Sequence, residues 1–170
     1  MQRQRGFTIL ELMIAVAIIA ILATVVLPHW LRDSRKAKAR SEVNAMFSEL
    51  STKEEQYALD NGAYLSTTAC PSSPATAGQD ATPCTANPTG IWYPLRVILP
   101  ETNLYCSYEV VTGDSTTTPA PPAPFAMTSS VPQSWYYIVA TCDMDGSSTT
   151  NSRYFRSSYN AEIVPDQEGS

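Results

Sequence analysis

Histidine is nearly missing from this 170-residue chain, which has His29 and no other. A Ser-His-Asp or Cys-His constellation therefore cannot be built from residues 30–170. The phosphate-binding pattern G-x-x-x-x-G-K-[ST] and the zinc-hydrolase pattern H-E-x-x-H are also missing. Basic side chains are scarce in the later part. Residues 41–170 offer Lys53, Arg96, Arg153 and Arg156 against 14 acidic groups, a balance of −10. That deficit argues against direct binding to nucleic acid, whose phosphates need clustered Lys and Arg. No charge of either sign occurs from Leu12 to Leu31, and no Gly or Pro lies between Pro28 and Gly62. An enzyme is not expected, nor is a cofactor.

The chain does have a long apolar run, with basic residues around it. Residues 1–40 carry Arg3, Arg5, Arg32, Arg35, Lys36, Lys38 and Arg40 against Glu11 and Asp33, a balance of +5. As a helix, residues 7–31 would extend about 37 Å, enough to cross a bilayer with some tilt. Arg3 and Arg5 then belong on the cytoplasmic side. An ordinary cleavable signal peptide is the competing reading, but it would close its apolar core with a small-x-small site. Here the core runs into Val25-Val26-Leu27-Pro28-His29-Trp30.

Glu11 stands one turn into that run. A carboxylate at the edge of a membrane helix is costly and is usually kept for a partner. The nearest positive groups are Arg5 and any α-amine created by cutting before Phe7. An amine at Phe7, on the same chain or on an incoming neighbour, would neutralise Glu11 and set the axial register between subunits. A tolerated acid at the membrane boundary is the alternative.

The string Gly6-Phe7-Thr8-Ile9-Leu10-Glu11-Leu12-Met13-Ile14, after the leader MQRQRG, resembles the prepilin processing motif of type IV pilins and their relatives. The resemblance implies cleavage after Gly6 by a prepilin peptidase, N-methylation of Phe7, and assembly roles for Glu11 and for Pro28. Pro28 matches a helix-bending proline of the family. By its chemistry it removes one backbone donor and crowds the carbonyl of Thr24. The chain departs from the family at Ala20, where a glycine is common, so a bend at Pro28 is expected but an unwound segment is not.

Val43, Met46, Phe47, Leu50 and Tyr57 recur at helical spacing and predict one buried stripe, ending at Asn61-Gly62. The expected organisation is a leader (1–6) and an N-terminal helix (7–61), followed by a globular β head with disulfide loops (62–170). Within the helix, 7–31 is the transmembrane and filament-core part and 32–61 is amphipathic. The cluster Arg32, Arg35, Lys36, Lys38 and Arg40 reads as a solvated face, as a partner for acids on neighbouring subunits, or as a contact for lipid headgroups.

Ala63 to about Asn87 reads as an irregular loop closed by Cys70–Cys84. Ile91–Leu99, Leu104–Val111, Ser134–Cys142, Arg153–Ser157 and Asn160–Val164 read as strands of an antiparallel sheet. Pairing Leu104–Val111 with Ser134–Cys142 as a hairpin brings Cys106 beside Cys142. The other two connectivities of four cysteines stay open. Thr112–Gln133 is a long connection containing PAPPAPF, either a solvent-facing recognition or glycosylation segment or a spacer. Asp143-Met144-Asp145-Gly146 starts like a calcium loop. It lacks the closing Glu, so a plain turn is the better reading and Asp143 and Asp145 stay marginal calcium candidates.

The fold class expected is α+β and pilin-like, a long N-terminal helix packed on an antiparallel β-sheet head. The implied function is that of a structural subunit, major or minor pilin, of a type IV pilus serving adhesion or twitching motility. A pseudopilin of a type II secretion system and a membrane-anchored monomeric binding module are the alternatives. The implied partners are other pilin subunits, the prepilin peptidase, the assembly machinery and the membrane. The implied location is the inner membrane before assembly and an extracellular filament afterwards.

Overall fold

The computed structural model describes residues 8–127, 133–146 and 150–168. Helix α1 covers Ile9–Asn61, with β1 at Thr67–Cys70, β2 at Gln79–Asp80 and α2 at Thr82–Thr85. The remaining strands are β3 (Asn103–Leu104), β4 (Cys106–Gly113), β5 (Trp135–Cys142), β6 (Ser152–Ser157) and β7 (Asn160–Asp166). The chain divides into two compact units, Met1–Arg35 and Lys36–Ser170. The arrangement is α+β, an apolar N-terminal helix plus an antiparallel five-stranded sheet.

The first unit is helix alone over its described part. Ile9–Leu27 is long and apolar enough to cross a membrane, and none of it is buried. α1 continues through Pro28. It stops where the sequence places a stop. Gly62 takes φ +80° and its N–H donates to Ala58 O at 2.8 Å, so a residue free of Cβ strain turns the chain out of the helix.

In the second unit, Ala39, Val43, Met46, Phe47 and Leu50 are buried against one face of the sheet. The sheet order is β1-β4-β5-β6-β7, antiparallel throughout. Strand side chains alternate between faces. Cys106, Tyr108 and Val110 of β4, Tyr136, Ile138, Ala140 and Cys142 of β5, and Tyr154 of β6 therefore join the helix residues in one cluster. The odd residues Trp135, Tyr137 and Val139 of β5 form a second cluster with Phe155 and Phe125. β5 is thus covered on both faces, which explains its unbroken apolar run Trp135-Tyr136-Tyr137-Ile138-Val139-Ala140.

The cover on that second face comes from the long connection. Residues 114–127 fold back over it as a strap. Trp135 Nε1 donates to Asp114 O and Thr117 O, both at 3.1 Å, and Tyr137 Oη donates to Ala120 O at 3.2 Å. Phe125 stacks on Phe155 with centroids 5.1 Å apart.

Cys106 lies directly opposite Cys142 in the β4–β5 ladder and is bonded to it, with Cα atoms 4.1 Å apart. Cys70 is bonded to Cys84 across a sequence separation of 14. Closing a loop of that size restricts the unfolded chain and contributes about 3 kcal/mol.

Two expected elements differ. Ile91–Leu99 is a run of turns rather than a strand. Tyr93 N–H donates to Gly90 O and Arg96 N–H to Tyr93 O, both at 3.0 Å, and Arg96 takes φ 54°. Pro94 and Pro100 lack ladder donors. Trp92 and Leu95, three residues apart, are the side chains driven into the core. The stretch Ala63–Asn87 is more ordered than a loop, since it contains β1, β2 and α2. β1 adds to the edge of the sheet by pairing Thr67 with Val110 and Cys70 with Tyr108.

Candidate functional site

The first candidate site is the start of α1. Gly6 and Phe7 lie outside the described residues. Thr8 and Glu11 do not, and they form a reciprocal cap. Glu11 N–H donates to Thr8 Oγ1 at 3.2 Å. Thr8 N–H and Oγ1–H donate to Glu11 Oε2 at 3.1 and 3.0 Å. This is the Thr-x-x-Glu capping box, which satisfies backbone donors that the first helical turn leaves open. The sequence carried that signal, four residues long, but the membrane cost of the acid overshadowed it. Glu11 therefore has hydrogen-bond partners in its own chain, in addition to any amine partner expected for its charge. Its negative charge remains uncancelled by Thr8, which is neutral.

From Ile9 onward the span presents apolar side chains on every side. Ile9, Ile14, Ile18, Leu22, Val25 and Trp30 are all more than half exposed. A helix apolar all round requires lipid or other helices as its surroundings. Thr24 folds its hydroxyl back onto Ile21 O at 2.7 Å, so its one polar group is satisfied within the helix. Pro28 sits inside α1, within the first unit.

The second candidate region is the row of acids along the helix in the second unit, from the buried Glu54 to the exposed Glu55. Four glutamates there hold the rest of that unit. Glu42 accepts from Tyr105 N–H, Cys106 N–H and Tyr108 Oη, each at 2.9 Å. Glu49 accepts from Ile98 N–H at 2.8 Å, Glu54 from Leu65 N–H at 2.9 Å, and Glu55 from Tyr64 Oη at 3.2 Å. Burial pushes the proton affinity of Glu42 up, and its three donors offset that only in part. Burial pushes Glu54 up to about 7. Neither residue was singled out from the sequence. The signal was there, since Glu54 lies four residues after Leu50 and seven after Phe47, on the buried stripe itself.

Among the described side chains of the basic cluster, Lys38 and Arg40 have defined partners. Lys38 Nζ sits 3.6 Å from the centre of the Tyr105 ring. Arg40 forms a two-pronged pair with Glu168, through Nε to Oε1 and Nη2 to Oε2, and this holds the Glu168 carboxyl below its ordinary range. A surface cleft beside that pair is lined by Val43, Asn44, Tyr154, Ile163 and Pro165. It contains neither a nucleophilic Ser or Cys nor a histidine.

At the marginal calcium position, Gly146 N–H donates to Asp143 Oδ1 at 2.7 Å with Gly146 at φ 77°. That closes a turn. No group of three or more metal-ligating side chains exists among the described residues.

Comparison with known proteins bears on the first site. Residues 1–27 match the family described as the prokaryotic N-terminal methylation motif. The chain is 39% identical over 67 residues to the type II secretion system core protein G of Klebsiella pneumoniae, covering 39% of this chain and 47% of that protein. It is 41% identical over 69 residues to the core protein G of Dickeya chrysanthemi, covering 39% of this chain and 42% of that one. It is also 41% identical over 66 residues to a type IV wide pilus major component of Thermus thermophilus, covering 39% and 50%. The chain thus spans half or less of the length of these curated relatives. No solved structure matches.

Proposed function

We propose that this chain is the precursor of a type IV pilin-like filament subunit, anchored by its apolar helix before assembly and packed through that helix afterwards. The observation that carries the reading is the methylation-motif match over residues 1–27, joined to an apolar span with no buried residue between Ile9 and Leu27. Transfer from lipid into a bundle of similar helices exchanges one apolar environment for another, so shape and the few polar groups decide the packing. Processing after Gly6 frees an amine on Phe7. In this proposal Glu11, capped by Thr8, receives such an amine from its own or a neighbouring chain. On this reading the chain is not an enzyme. Its partners are other subunits, a prepilin peptidase and an inner-membrane assembly machine, and it ends in a surface filament.

A type IV pilus subunit is the finer reading, supported by the two disulfides, which suit a filament exposed outside the cell. A type II secretion pseudopilin is the second reading, favoured by the names of the core protein G relatives. Mass spectrometry of the mature N-terminus, with electron microscopy of cells carrying or lacking the gene, tests both. A mature chain starting at methylated Phe7 and surface filaments lost with the gene support the pilus. Filaments unchanged but protein secretion abolished would move the assignment to the pseudopilin. A mature terminus elsewhere would end both readings.

A further inference from the structure

Glu54 occupies an unusual position for an acid. It is fully buried, with 0% exposure, on the helix face that carries Phe47 and Leu50. Oε2 accepts from Leu65 N–H at 2.9 Å, while Oε1 has no partner among the described residues. No basic side chain among them forms an ion pair with it, and nearby Lys53 leans toward Glu49 at 3.9 Å. The bond to Leu65 spans the end of α1 and the turn that leads through Gly62 into β1. The same turn is held on the other side by Tyr64, whose ring sits 4.8 Å from that of Tyr136 and whose hydroxyl reaches Glu55.

The charges around it do not favour ionisation. From the same helix Glu55 repels a second negative charge. The turn contributes Tyr64, neutral at ordinary pH, and β5 contributes Tyr136, also neutral. Arg156 of β6 is felt at Tyr136, and Tyr159 of the β6–β7 turn at Tyr64. Thr67 of β1 and Val110 of β4 bring no charge. A buried carboxylate with one hydrogen bond and an acidic neighbour is relieved either by taking up a proton or by opening toward water.

We propose that Glu54 is a proton-binding site that fastens the end of α1 to the turn at residues 62–66 when protonated and loosens that junction when the proton leaves. Folding raises the proton affinity of this group, from an ordinary 4.5 to about 7. Its contribution to stability is therefore fully present below about pH 4.5 and is lost as pH rises to about 7. Local opening of one junction, rather than global unfolding, is the expected response. Glu42, also raised by burial, adds a pH dependence of the same sign from a separate place, so a variant is needed to isolate Glu54.

The test compares the full chain in detergent micelles with its Glu54→Gln variant, since glutamine keeps an oxygen for Leu65 N–H and cannot ionise. Thermal unfolding is followed from pH 4 to pH 8.5. The Tm of the variant should gain on wild type across pH 5 to 7 and keep that lead above it. In wild type, hydrogen exchange at the Leu65 amide, corrected for the intrinsic rate, should lose about tenfold protection between pH 6 and 8. Two Tm profiles that stay parallel overturn the proposal. If the variant does not fold, the carboxyl ¹³C titration of Glu54 in wild type decides: a midpoint near 7 upholds the site, and one below 5 overturns it.

Discussion

Glu11 and Thr8 hold each other across the first turn of α1, each donating a backbone N–H to the other's side chain. The acid thus does two separable things: it caps a helix and it carries a charge. Glutamine can cap through the same geometry but has no charge to offer an amine. Glu11→Gln should therefore keep Gly6 processing and helix content while impairing incorporation into filaments, and Glu11→Ala should add a capping loss of about 1 kcal/mol. Processing is read by mass spectrometry and incorporation by the yield of sheared filaments. Wild-type filament yield from Glu11→Gln would leave capping as the acid's whole role.

Glu42 gathers three donors from β4 and the residue before it. Truncation would bury those donors with no acceptor, at a cost near the sum of two or three lost hydrogen bonds to a charged group. Glu42→Ala should lower unfolding stability by about 3 kcal/mol, measured by urea titration of the detergent-solubilised chain. A change below about 0.5 kcal/mol would mean that water or neighbouring groups replace the carboxylate.

Gly113 pairs with Trp135 across the β4–β5 ladder, under the indole ring. A Cβ at 113 would overlap Trp135 Cζ2 and come within 3.0 Å of Cη2. The indole cannot simply shift, because its Nε1 is tied to Asp114 O and Thr117 O. Gly113→Ala should destabilise by about 1–3 kcal/mol and alter the near-ultraviolet circular dichroism of the tryptophan. An unchanged spectrum with an unchanged Tm would place the ring elsewhere.

Phe125 fixes the far end of the strap, stacked on Phe155 and lying beneath the Arg153 guanidinium at 5.6 Å. Phe125→Ala should cost about 3 kcal/mol and expose residues 114–127 to limited proteolysis. Cleavage rates equal to wild type would argue that Trp135 and Tyr137 hold the strap without it.

The parts of the fold visible in the sequence are those written in periodicity. Val43, Met46, Phe47 and Leu50 marked the buried stripe, Gly62 marked the stop, and the hairpin register put Cys106 opposite Cys142. What escaped was set by contacts made elsewhere. β1 exists because Thr67 finds Val110, and four residues of Thr, Ala and Cys announce nothing by themselves. Ile91–Leu99 looked like a strand on composition, yet Pro94, Pro100 and the three-residue step from Trp92 to Leu95 make it a turn. Glu54 was hidden by a general habit, since acids are assigned to the solvated face even when their spacing puts them on the other.

The tie between the sheet and its strap has a consequence for how this surface can diverge. Trp135 and Tyr137 grip only main-chain carbonyls, those of Asp114, Thr117 and Ala120, which every amino acid possesses. The side chain at 120 is therefore not specified by the anchor, whereas at 117 the hydroxyl also donates to Asp114 Oδ1 at 2.9 Å. The covering can be rewritten at 120, in charge, size or modification, while the scaffold beneath keeps the same handholds.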